Sequence, residues 1–98
     1  MFTRREPVQI DENISLSIQA GKRLYCSPRV DGLEINEYEE VELAILQKGV
    51  DGFPLPSALG VDGFDSYFEP GNHRNPVAAY VPVAVVLELI SALKRRSA

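Results

Sequence analysis

Ninety-eight residues, 45% apolar and 24% charged, make one small globular domain, too short for two and too apolar to stay disordered. The net charge of −4 is unevenly spread: residues 10–70 hold twelve acidic groups against four basic ones, so the main body repels phosphate backbones and direct nucleic-acid binding by it is disfavoured. No apolar stretch reaches the roughly 18–20 residues of a membrane span, and one cysteine with one histidine makes neither a disulfide nor a zinc site.

The opening MFTRREPVQIDEN is basic but has no apolar run behind it, so it does not read as a secretory signal. A reducing, cytoplasmic setting is the expectation that follows. Residues 13–19, NISLSIQ, alternate apolar and polar, which predicts a half-buried strand with Ile14, Leu16 and Ile18 on one face. Residues 23–27, RLYCS, read as a return strand after a tight connection at Ala20-Gly21-Lys22, and a hairpin is the simplest geometry. Cys26 reads as a small buried hydrophobe, because no histidine and carboxylate stand near it to make a nucleophile.

The acidic run EINEYEEVE at 34–42 is either a solvated face or an anionic surface for a basic partner. Residues 38–47 predict a strand, with Val41, Leu43 and Ile45 alternating against Glu40, Glu42 and Ala44; the same residues also permit a short helix. The adjacent Ile45 and Leu46 suggest that both sheet faces are covered at that end.

Residues 49–75 form a long connection rich in Gly, Pro, Asp and Asn, with one helical turn expected at 56–59. Gly-Val-Asp-Gly-Phe stands at 49–53 and again at 60–64, and a third Val-Asp-Gly at 30–32. Asp-Gly is turn chemistry, and the ladder of oxygen ligands that a calcium loop needs is missing. Phe53 and Phe64 then follow tight turns and are expected to plug the core.

Residues 76–81 predict a last strand with Val77, Ala79 and Val81 in phase, and Pro82 fits the first turn of a C-terminal helix. Spacing places Val83, Val86, Leu87, Ile90 and Leu93 on its core stripe and Glu88, Ser91, Lys94 and Arg95 largely opposite. Its last basic residues complement the helix dipole.

These elements define an α+β domain: a small antiparallel sheet of three to four strands, one C-terminal helix packed on it and a long structured loop. One helix covers only part of one sheet face, which motivates the expectation of a homodimer. The candidate binding residues gather in the loop at Phe64, Asp65, Tyr67, Phe68, Glu69, His73 and Arg74, joined by aromatics Phe53 and Tyr80. No G-x-S-x-G, H-E-x-x-H, Walker loop or G-x-G-x-x-G is present, so no catalytic residue, metal or cofactor is assigned. The leading expectation is therefore a non-enzymatic accessory protein that binds a protein or small molecule. Two alternatives stand beside it. One is a small enzyme or ligand-binding domain with a pocket under residues 62–74, using Glu69, His73 and Tyr67. The other is an acidic inhibitor of a nucleic-acid-binding machine.

Overall fold

Alternating side chains build a four-stranded antiparallel sheet in the computed structural model, which describes residues 5–68 and 76–96. Its strands are β1 (Val8–Gln9), β2 (Ile14–Gln19), β3 (Glu40–Gln47) and β4 (Ala78–Pro82), in the order β1-β2-β3-β4. The helix α1 (Val83–Arg96) follows β4 directly. The α+β architecture expected from the sequence is the one found, and residues 40–47 are strand rather than helix.

β2 and β3 form the centre of the sheet, paired without a break from Ile14 opposite Gln47 to Gln19 opposite Glu42. Their alternate residues Ile14, Leu16, Ile18, Val41, Leu43 and Ile45 enter one core with Val86, Leu89 and Leu93 of α1. On the other face Ser17 and Gln19 are buried as well. The Gln19 amide donates to the Ser17 hydroxyl and to the Arg5 carbonyl, and its Oε1 accepts from the Arg5 amide at 2.9 Å, so these buried polar groups are satisfied.

The expected hairpin between 13–19 and 23–27 does not form. β2 pairs instead with β3, whose longer alternating run gives six consecutive pairs, and the 20 residues between them fold as an excursion. Segment 23–27 follows a turn at Gly21–Leu24 and meets the sheet at the bridge of Ser27 to Glu40 and at the Tyr25 carbonyl, which accepts from the Tyr80 amide of β4. Cys26 is buried beneath this turn, its thiol donating to the Gly21 carbonyl. Arg5 clasps the excursion, its guanidinium donating to the carbonyls of Ala20 (2.9 Å) and Leu33 (2.6 Å) and lying over the Tyr38 ring.

The spacing of apolar residues misplaces the helix by part of a turn. Leu87 is 62% exposed, whereas Leu89 is 1% exposed and belongs to the core. Residues 85–87 are all apolar, so local composition does not fix the rotation; at about 100° per residue, Val86, Leu89 and Leu93 share an arc that leaves Leu87 outside. Glu88, Ser91, Lys94 and Arg95 face solvent as their spacing implies. At the helix end Arg96 donates to the Leu59 carbonyl (2.7 Å) and pairs with Asp11, which fixes the 56–59 turn and the β1–β2 connection against α1.

Candidate functional site

The Asp-Gly turns behave as punctuation. Gly32, Gly52 and Gly63 all take positive φ, between 87° and 94°, a conformation that L-residues with a Cβ avoid. Around Gly63 a Cβ would meet nothing within 4 Å, so the backbone conformation alone calls for glycine there. The two phenylalanines that follow part company. Phe53 is half-buried over a cavity of about 250 Å³ on the sheet face opposite α1, with Ser17, Gln19, Ala44 and Leu46. Phe64 is half-buried on the α1 side, packed against the main core.

The remaining loop candidates also have distinct places. Asp65 accepts hydrogen bonds from the backbone amide and hydroxyl of Ser57, which staples the 56–59 turn to the 3₁₀ turn at 65–67. Tyr67 is half-buried against the core, and Phe68 is 5% exposed within it, bridged to Ala78 of β4. Glu69, His73 and Arg74 lie outside the described residues. The five aromatics therefore do not converge on one pocket between loop and helix: Phe53 lies over the far sheet face, and Tyr80 lies beside Tyr25.

Two surfaces emerge instead. The first is an open groove of about 820 Å³ between the second Val-Asp-Gly-Phe turn and the outer side of α1. Gly60 to Phe64 make one wall; Leu87, Glu88, Ser91, Ala92 and Arg95 make the other. Leu87 is its large exposed apolar group, and Glu88 and Arg95 lie two turns apart on the same side of the helix.

The second surface is a corner at the β4 edge. Val41 pairs with Val81 and Leu43 with Ala78, so two residues of β4, Ala79 and Tyr80, oppose Glu42 alone. This bulge breaks the expected alternation: Ala78 enters the core, Ala79 is half-buried, and Tyr80 is turned outward. Tyr80 is also the non-glycine residue with positive φ, 52°, among the described residues. That conformation costs a residue with a Cβ roughly 1–2 kcal/mol. The Tyr80 amide donates to the Tyr25 carbonyl at 3.0 Å, which holds the bulge in place. The two rings then stand 5.9 Å apart, with Tyr25 54% and Tyr80 42% exposed. Arg29 lies 6.0 Å from the Tyr25 ring, and a Glu42 carboxylate oxygen accepts from the Tyr25 amide at 2.9 Å.

Tyr80 stands among the aromatics weighed in the sequence, but Tyr25 does not, and nothing local joins the two. They are 55 residues apart, and only the bulge brings them together. Among the described residues, no group of three or more His, Cys, Asp or Glu is placed to hold a metal ion, and no helix is long and apolar enough to cross a membrane.

The class that the fold defines is a small α+β domain, with an open groove beside α1 and an exposed tyrosine corner on its surface. No protein-family model matches the chain, and comparison with curated proteins and with solved structures gives no match.

Proposed function

We propose that this protein is a non-enzymatic binding module that works as a homodimer, self-associating through the outer face of α1 and the 60–64 turn. The observation that carries the reading is Leu87, 62% exposed in the groove while α1's neighbouring large residues Val86 and Leu89 are buried. The groove sets Val61, Phe64, Leu87 and Ala92 beside Asp62, Glu88, Ser91 and Arg95, a mixture of apolar side chains and opposite charges that suits a protein contact.

A second copy fits this face by symmetry. An isologous contact must be self-complementary. Antiparallel pairing about a two-fold axis between Ser91 and Ala92 sets Glu88 of one copy opposite Arg95 of the other, twice. The same arrangement lays Leu87 across Ala92 and the stem of Arg96. The small side chains at Ser91 and Ala92 let the axes approach to about 8–10 Å. Burial of both leucines contributes ~2–4 kcal/mol, set against the loss of translational freedom, so the dimer dissociates on dilution.

Light scattering on a sizing column tests this with wild type and Leu87→Asp. Wild type gives a dimer mass at high micromolar concentration, and the variant stays monomeric with an unchanged circular dichroism spectrum. A wild-type monomer throughout that range overturns the reading.

A further inference from the structure

We infer that the Tyr25–Tyr80 corner is a second binding site, one that takes a cationic side chain, arginine before lysine, from a basic segment of a partner protein. The inference goes beyond the dimer and is independent of it, because the corner shares no residue with the α1 face.

Three observations meet at this point. First, a strained backbone conformation is maintained for a ring that is 42% exposed. Strain that is kept where burial returns little points to use of the side chain, and bulges recur where a strand must re-aim one residue. Second, both tyrosines are exposed, and the geometry already accommodates a guanidinium: the chain's own Arg29 stands 6.0 Å from the Tyr25 ring, at the outer limit of a cation–π contact. Arg29 is itself exposed, so an incoming arginine can displace it or stack beside it. Third, the charge around the corner complements a cation. Glu42 stands opposite the bulge and contacts the Tyr25 amide, Glu40 pairs with Ser27 and with Pro82, and Glu39 donates its amide to the Ser27 carbonyl. The Glu42 carboxylate sits at the Tyr25 amide, with Glu40 two residues along β3 and Glu39 just before the strand, so the local charge favours a basic segment over an acidic one.

The test is a titration of the full chain with a fluorescein-labelled tetra-arginine peptide, followed by anisotropy, with tetra-aspartate as the comparison. It is run on Leu87→Asp as well as wild type, so that failure of the dimer does not mask the corner. Wild type and Leu87→Asp bind tetra-arginine alike, and added salt weakens the complex. Tyr80→Gly suits the positive φ and leaves net charge unchanged; it weakens binding about ten-fold, and Tyr25→Ala does likewise. Arg29→Ala, which removes the internal competitor, strengthens it by about three-fold. Equal binding by Tyr80→Gly overturns the inference, since the peptide is then held by diffuse negative charge. So does weaker binding by Arg29→Ala, which would make Arg29 a support of the Tyr25 ring and not a competitor, or preference for tetra-aspartate, which would mark an anion site. Should both tyrosine variants misfold, the wild-type ring proton resonances decide: tetra-arginine shifts those of Tyr25 and Tyr80, and their indifference overturns the inference.

Discussion

Tyr80 holds a backbone conformation that glycine would hold more easily, and its ring is half in solvent. Replacement by glycine removes roughly 1–2 kcal/mol of strain. Against this stand a more flexible unfolded chain, about 0.5–1 kcal/mol, and a lost ring pair, about 0.5–1.5 kcal/mol. Loss of the ring's buried area adds about 1–2 kcal/mol on the same side, so Tyr80→Gly lowers the urea midpoint modestly. Tyr80→Val keeps the strain, loses the ring and adds β-branching at positive φ; it unfolds at clearly lower urea. A collapse of stability in the glycine variant would mean that the ring holds the β4 edge together and is not available to a partner. At this scale the sequence is legible where chemistry is local. The three Asp-Gly turns are read from two residues each, and Gly32, Gly52 and Gly63 take the backbone that reading requires. The Tyr25–Tyr80 pair is not legible, because it depends on where one extra residue enters β4.

Secondary-structure elements follow from period when the pattern is long. β2 and β3 alternate over six and eight residues, and both are where alternation puts them. β1 has two residues, too few for any period, and the sequence carries no sign of it. In β4 the bulge slips the phase, so Ala78 takes the buried place assigned to Ala79. For α1 the existence and length of the helix are legible, but its rotation is not. The run Val83 to Leu87 is apolar throughout, and only packing on the sheet selects Val86, Leu89 and Leu93. The selection has a direct consequence. Leu89→Ala costs about 2–5 kcal/mol by opening a cavity in the core. Leu87→Ala changes the stability of the dilute monomer by less than about 0.5 kcal/mol. Urea unfolding of both at low concentration checks the difference, and equal losses would return Leu87 to the core stripe.

At the scale of the whole molecule, the described residues make one core under a single helix, and the second sheet face is closed by loops rather than by a second layer. Gln19, Ser17 and the Arg5 backbone satisfy one another there, and Phe53 covers Ala44 and Leu46. The expectation that a partner is needed to cover the far sheet face therefore moves to the outer side of α1, where Leu87 stands open. Of the loop residues singled out in sequence, Phe64 lines that groove, Asp65 and Phe68 hold the loop together from within, and Tyr67 packs beneath it. Of those expected residues that are described, Phe64 alone lines the groove, and its helix wall is not legible in the sequence, since apolar spacing on a helix cannot say which side the sheet will take.

The proposed antiparallel pairing of α1 has one consequence that distinguishes it from other modes of association. Glu88→Arg places a second cation opposite Arg95 of the other copy. Arg95→Glu places a second carboxylate opposite Glu88. Like charges then face each other twice across the axis, so each variant alone is monomeric. Mixed together, the two variants restore both opposite-charge pairs at once, one native between Glu88 and Arg95 and one with the charges exchanged between positions 88 and 95. Sedimentation of the two variants, alone and mixed at equal concentration, tests the arrangement most directly. Monomers alone and a heterodimer on mixing are the result predicted. Two variants that dimerise as wild type does, or that stay monomeric when mixed, would contradict it.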